Sequence, residues 1–164
     1  MSYPNKFDTS NLDKNQLSIL VDFHQRRNLF DNYLTEKKIE LYTCPSCGYP
    51  TLTERDGYEI CCVCNWEDDN QDDKEADEIW GGPNYELSLT ENRLNIGEQL
   101  AKFAKAINGR INTEPSVVLT ILSRHNKKVF ELFKTVPEDA DLNHKIFKDS
   151  EEKGQELLKQ LVTT

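Results

Sequence analysis

Two pairs of cysteines lie close together in the first half of the chain and restrict how this segment can fold. Cys44 and Cys47 are three positions apart, as are Cys61 and Cys64, and 13 residues separate the two pairs. This spacing lets both thiolates of a pair bind one metal ion, and Gly48 permits a tight turn after the first pair. Four sulfur ligands at about 2.3 Å are typical of structural zinc. The sequence therefore predicts one structural Zn²⁺ held by all four.

Other uses of these cysteines remain open or are less favourable. A rubredoxin-like iron site shares the Cys-Pro-x-Cys-Gly pattern. A catalytic zinc usually has three protein ligands and an open position, which four thiolates do not leave. Disulfides need an oxidising compartment, five cysteines leave one over, and the N-terminus lacks an apolar signal stretch. We therefore expect a cytoplasmic protein in which Cys62 is a small packing or surface side chain.

The segment between the cysteine pairs reads as a short β hairpin. Residues 51–54 and 58–60 are predicted strands, and Asp56-Gly57 is a favoured two-residue turn. Residues 44–66 contain few large apolar side chains, and so short a hairpin cannot stabilise itself by burial. Metal binding contributes on the order of 10 kcal/mol in small zinc peptides, enough to replace the missing core. Trp66 and Trp80 are expected to pack in the core over the hairpin; an exposed tryptophan would instead be a binding anchor.

Most of the remaining sequence has helical periodicity. A helix is predicted over 10–39 with Thr9 or Ser10 as its cap, and the capping box Ser88–Glu91 begins a second helix that Gly109 ends. Pro115 suits the first turn of a third helix, although 117–121 also permits a short strand. Residues 129–136 and 146–162 look helical.

These elements predict an α+β, mostly helical fold with a small zinc-stapled, zinc-ribbon-like β hairpin flanked by helices. The length suits a single domain, 1–164. Within it we distinguish an N-terminal helix at 1–40, a cysteine-rich zinc module at 41–98 and a helical C-terminal part at 99–164.

The net charge of −9 argues against a general nucleic-acid binder, which needs a basic face. Eight acids and one lysine lie in 67–78. This acidic run is either a solvated loop or a surface for a basic partner, because complementary charge speeds encounter and discriminates between partners. The second reading makes the following residues candidates for partner binding: Glu67, Asp68, Asp69, Asp72, Asp73, Glu75, Asp77 and Glu78.

Other function classes have weaker support. Residues 91–134 carry eight bases and four acids, which keeps a nucleic-acid-associated zinc ribbon as an alternative. The chain has no nucleophile motif, no phosphate-binding glycine loop and no His-Glu-x-x-His, so we predict no catalytic residues and no enzyme. An unrecognised enzyme is the other alternative. The longest apolar runs are too short to span a bilayer, so no membrane role is expected.

Residues 43–98 resemble the bacterial cysteine-rich CPCC family. The resemblance rests on Tyr-Thr-Cys-Pro-Ser-Cys-Gly-Tyr at 42–49, Gly-Tyr-Glu-Ile-Cys at 57–61, Trp-Glu-Asp-Asp at 66–69, Gly81-Gly82 and Leu-Ser-Leu at 87–89. Ser46 replaces the third residue of the Cys-Pro-Cys-Cys motif, and Cys62 stands where proline is more common. The resemblance implies a zinc-ribbon-like module. By analogy with small acidic bacterial proteins, it also implies an immunity or antitoxin-like partner of a toxin, possibly a nuclease.

Overall fold

The computed structural model describes residues 5–133 and 152–164. These residues form helices α1 (Lys14–Glu36), α2 (Leu89–Ala106) and α3 (Pro115–Phe133), strands β1 (Arg110–Ile111) and β2 (Val162–Thr163), and a helical segment at 152–160. The fold is α+β and mostly helical, as predicted. The chain divides into two compact units, Met1–Gln99 and Leu100–Thr164. The single-domain organisation and the boundaries at 40 and 98 stay predictions.

Helix α1 begins later than the sequence pattern suggested. The Asp13 carboxylate accepts a hydrogen bond from the Gln16 backbone at 2.8 Å, and the Gln16 side chain accepts one from the Asp13 backbone at 2.9 Å. This reciprocal capping box satisfies two backbone donors, whereas a single hydroxyl would satisfy one. The predicted cap at Thr9 or Ser10 is therefore wrong, and Ser10 bonds to Asp8 instead. The buried face of α1 comprises Ile19, Phe23, Arg26, Phe30 and Leu34.

Helix α2 begins as predicted but ends differently. The Ser88 hydroxyl accepts a hydrogen bond from the Glu91 backbone at 3.0 Å. At the other end Asn108, not Gly109, has the left-handed backbone, with φ of 52°. Gly109 is needed for space instead, because a Cβ there would lie 2.3 Å from the Thr163 carbonyl oxygen. The glycine therefore permits close approach of two backbone segments rather than a positive φ.

The second unit confirms the helix start at Pro115 and shows that 117–121 is helical rather than a strand. Its two strands are antiparallel, with Arg110 opposite Thr163 and Ile111 opposite Val162. Val162 therefore lies beyond the last helix and not within it. The predicted helical residues 134–136 and 146–151 lie outside the described residues. Within 5–133 and 152–164, no helix has the length and apolar character that crossing a membrane requires.

The strand pairing predicted between the two cysteine pairs does not form. Tyr42 pairs with Leu52, and Ile60 pairs with Glu67. Each isolated bridge therefore closes the loop around one cysteine pair, and 51–54 is not paired with 58–60. The reason lies at the predicted turn, where the Asp56 backbone donates to the buried Asp68 carboxylate at 2.7 Å.

Candidate metal centre

The first cysteine pair lies in a tight backbone turn, which we call the first knuckle (residues 42–52). The Cys44 backbone donates to the Tyr49 carbonyl at 2.8 Å, and Gly48 donates back to the Cys44 carbonyl at 2.9 Å. Gly48 has a φ of 81°, a conformation that glycine adopts without steric cost. The Ser46 backbone N–H points at the Cys44 sulfur at 3.4 Å. Such an N–H stabilises negative charge on the sulfur.

The second knuckle (residues 60–67) repeats this geometry bond for bond. The Cys61 backbone donates to the Trp66 carbonyl, and Asn65 donates back to the Cys61 carbonyl, both at 2.9 Å. Asn65 takes the role of the glycine, with φ of 64°, which asparagine tolerates better than most residues. The Val63 N–H points at the Cys61 sulfur at 3.4 Å. Two sequences with little in common thus form the same sulfur-presenting turn.

The two knuckles bring four sulfurs together. The sulfurs of Cys44, Cys47, Cys61 and Cys64 all lie within 4.8 Å of one another. The separation is 3.6 Å for Cys44–Cys64 and for Cys47–Cys61. Metal–sulfur bonds of about 2.3 Å in a tetrahedron place neighbouring sulfurs about 3.8 Å apart. The cluster therefore fits a metal ion, and its members are the four cysteines that the spacing selected. Cys62 is not part of it.

Burial also favours a cation in this cluster. It raises the pKa of the Cys44 and Cys47 thiols well above their usual value, because a thiolate without a cation is poorly solvated there. The Cys61 thiol is equally buried, yet hydrogen bonds from neighbouring thiols and from Thr51 lower its pKa. The Thr51 hydroxyl lies 3.0 Å from that sulfur. A bound cation would stabilise all four thiolates together, and the site then exchanges protons for metal.

Helices α1 and α2 hold the first knuckle through buried polar side chains. Arg26 on α1 donates to the Cys47 carbonyl at 2.8 Å, and Arg93 on α2 donates to the Pro45 carbonyl at 2.9 Å. The Asn92 amide donates to the Ser46 hydroxyl at 2.7 Å. Both arginines are at least 95% buried. Sequence reasoning missed all of these contacts.

The acidic run is ordered by arginines rather than left as a free loop. Asp68 is fully buried and pairs with Arg55 at 2.9 Å. Asp72 pairs with Arg27 at 2.6 Å and with Arg55 at 3.0 Å. Burial of Asp72 opposes its ionisation, but hydrogen bonds and charge from Arg27 and Arg55 hold its pKa well below the usual 3.8. Asp73 pairs with Arg93 at 2.6 Å. Much of the run therefore fastens residues 68–73 to the first unit.

The other predicted partner-binding residues have mixed surroundings. Asp77 accepts a hydrogen bond from the Thr90 hydroxyl, and Glu78 accepts one from the Trp80 indole at 3.0 Å. The residues with partly exposed side chains are Glu67, Asp69, Asp72, Glu75, Asp77 and Glu78, and Asp73 is exposed. That these residues bind a partner stays a prediction. Asp68 no longer belongs to the candidate set, because it is buried.

The two tryptophans differ. Trp66 is 2% exposed and is therefore buried, as predicted. Trp80 is 48% exposed, so its predicted packing in the core is wrong. Gly81 and Gly82, which follow Trp80, have positive φ values. A Cβ atom at either position would have no neighbouring atom within 4 Å, so no close packing surrounds this turn.

Two matching knuckles with four clustered thiols define a cysteine-rich metal-binding module. Residues 42–108 match the family model described as Cysteine-rich CPCC, which confirms the resemblance seen in the sequence. The match includes the region of 43–98 identified from the motifs and extends through α2. No curated protein and no solved structure shows a significant match to the chain.

Proposed function

We propose that the cysteine cluster holds one structural zinc ion. Four thiolates complete the tetrahedral coordination of Zn²⁺ and leave no position for water or substrate. The sulfur separations of 3.6 Å support this coordination. This cluster is the observation that carries the proposal. Elemental analysis of the purified chain tests it, with one zinc per chain expected and one iron per chain as the contrary result.

We further propose that the protein is not an enzyme and that the metal stabilises a surface for a partner protein. The metal is surrounded by structural contacts, namely the bonds from Arg26, Asn92 and Arg93 to the first knuckle. None of these three groups is placed to act on a substrate, because each is buried and already bonded to the backbone or to a hydroxyl. A rigid module of this kind suits binding better than chemistry.

The partner class we propose is a basic toxin domain, possibly a nuclease, which this chain binds and neutralises as an immunity or antitoxin-like protein. The support is the net charge of −9 together with the analogy to small acidic bacterial immunity proteins. An acidic inhibitor can occupy a basic cleft that would otherwise bind nucleic acid. We also propose a cytoplasmic location, since none of the five cysteines is in a disulfide, which suits a reducing compartment.

The test begins with the toxin gene that we expect beside this reading frame. Co-expression should restore growth, and the purified pair should form a complex that weakens as salt is raised. A chain with Cys44→Ser and Cys47→Ser should lose both metal and protection, whereas Cys62→Ser should keep both. Growth arrest despite soluble, zinc-loaded protein would refute neutralisation. Tight, salt-dependent binding of DNA or RNA instead would favour a nucleic-acid-associated zinc ribbon.

A further inference from the structure

The second knuckle has an outer face that carries exposed apolar and aromatic side chains. We define this outer face as Tyr58, Ile60, Glu67 and Tyr85. Tyr58 is 60% exposed, Ile60 57% and Tyr85 78%. These are the three most exposed of the large hydrophobic side chains that the structure describes, and clusters of such side chains mark interaction sites.

The backbone explains why these side chains lie together. Ile60 and Glu67 are directly opposite in an antiparallel bridge, flanked by the bond from Cys61 to Trp66 and by a matching bond from the Asp68 N–H to the Glu59 carbonyl at 3.0 Å. Ile60 and Glu67 therefore form a non-hydrogen-bonded pair whose side chains share one face. Of the residues that flank this pair, Cys61, Trp66 and Asp68 turn to the opposite face and are buried.

Asn84 connects Tyr85 to the same face. Its side-chain oxygen accepts from the Glu67 backbone N–H at 2.9 Å, and its amide donates to the Glu67 carbonyl at 2.8 Å. The amide thus occupies the free edge of this short strand as a neighbouring strand would. Tyr85 follows directly in the chain, so its backbone lies near that of Glu67.

Both tyrosines of the outer face have a backbone conformation that disfavours them. Tyr58 has a φ of 59° and Tyr85 a φ of 55°, values that glycine or asparagine adopts more easily. Their backbone N–H groups are held by the carbonyls of Asp68 at 3.0 Å and Gly82 at 3.2 Å. Neither ring is buried, so packing does not compensate for the strain. Strained residues with exposed side chains point to a use at the surface.

The charge around the outer face indicates what binds there. Residues 56–69 contain five carboxylates, of which buried Asp68 is paired with Arg55, and residues 77–86 contain three; neither segment contains a lysine or an arginine. Four thiolates around a divalent cation add a further charge of about −2. Arginine stacks on tyrosine rings and pairs with carboxylates, so the two features select the same ligand group.

We propose that the outer face binds arginine side chains of a protein partner, which stack on Tyr58 and Tyr85 and pair with Glu67. This inference rests on the proposed function, namely that the chain binds a basic protein. A second copy of this chain is the less suitable occupant, because it would bring two negatively charged faces together.

An oligo-arginine peptide is the probe for this proposal, titrated into the zinc-loaded full chain labelled for NMR. We expect chemical-shift changes centred on 58–60, 67 and 84–86. Tyr58→Asn and Tyr85→Asn should each weaken binding about threefold, and together about tenfold, which is the size of exposed cation–π contacts. Neither change should lower the melting temperature, because asparagine adopts a positive φ more easily than tyrosine does. An oligo-glutamate peptide should not bind.

Tyr42 provides the matched control. It lies in the bridge with Leu52 that closes the first knuckle, and it is 50% exposed, close to the exposure of Tyr58 and Ile60. It lines a groove that also contains Arg27, Lys38 and Arg55. Tyr42→Asn should therefore leave oligo-arginine binding unchanged.

Three outcomes overturn the proposal: shift changes centred elsewhere, no effect of the tyrosine replacements on binding, or self-association of the chain that Tyr85→Asn abolishes. The proposed function fails separately. If the double tyrosine variant neutralises the toxin as well as the unchanged chain does, the outer-face proposal is wrong and the proposed function is kept. If the peptide binds at the outer face but the chain neutralises no toxin, the proposed function is wrong and the outer-face proposal is kept.

Discussion

Replacing Arg93 by alanine should destabilise the metal module more than any ordinary surface change. Arg93 is 3% exposed and donates to the Pro45 carbonyl, a charge-assisted bond with a contribution of about 1.5 to 3 kcal/mol. Its guanidinium carbon lies 4.1 Å above the Phe23 ring, which adds about 1 to 2 kcal/mol for a desolvated cation. The ion pair with half-exposed Asp73 adds about 1 kcal/mol at most. We expect a loss of about 3 to 5 kcal/mol in the free energy of unfolding.

Equilibrium urea unfolding of the zinc-loaded chain measures this loss, and release of zinc to a coloured chelator reports on the knuckle itself. Arg93→Lys keeps the charge but not the forked geometry, so it should recover only part of the stability. Arg124→Ala is the matched control, because Arg124 is an exposed arginine on α3. The reasoning is refuted if Arg93→Ala and Arg124→Ala unfold at the same urea concentration, or if zinc release is unchanged.

Three further changes test other parts of the structure. Cys47→Ser should remove the metal and lower the melting temperature, whereas Cys62→Ser should do neither. Elemental analysis and thermal unfolding measure both effects, and equal losses in the two variants would mean that the ligand set is wrong. The carboxylate of Asp72 has a lowered pKa, so it contributes stability above pH 3.8 that is lost as the pH falls below that value. Asp72→Asn should therefore reduce stability at neutral pH and flatten its dependence on acid in urea unfolding; an unchanged pH slope would contradict this. Gly109→Ala should destabilise the second unit, because the new Cβ meets a backbone carbonyl at 2.3 Å, whereas Gly154→Ala in open space should stabilise its helix by about 1 kcal/mol. Thermal unfolding compares the two, and equal shifts would show that the carbonyl moves aside.

Local chemistry could be predicted from the sequence because its partners are only a few residues apart. The two cysteine pairs lead to the sulfur cluster through spacing alone. The Ser88–Glu91 box and Pro115 mark helix starts by rules that need no tertiary contact. Cap choice at α1 failed because two competing signals lie close together, and the reciprocal pair of Asp13 and Gln16 satisfies more donors than Ser10 does.

Contacts between distant segments could not be predicted in the same way. The acidic run looked like a solvated loop or a partner surface because its counter-charges, Arg27 and Arg93, come from two helices about 45 and 20 residues away. The predicted hairpin turn at Asp56-Gly57 does not form, because the Asp56 backbone N–H donates to the buried Asp68 carboxylate instead. One signal was available, however. Arg26 falls on the apolar face of α1, where a charged residue indicates a buried partner.

The two knuckles have the same internal bonds but different neighbours, and this difference assigns them different roles. Helix side chains hold the first knuckle from both sides, through Arg26 and Arg93. The second knuckle is held at its strand edge by Asn84, and its outer face stays exposed. A metal that joins the knuckles therefore holds the outer face of the second knuckle in a fixed position relative to the first. Linkage between two binding sites is reciprocal. A metal that raises the affinity of the outer face for its ligand by some factor therefore has its own affinity for the cysteine cluster raised by that ligand by the same factor.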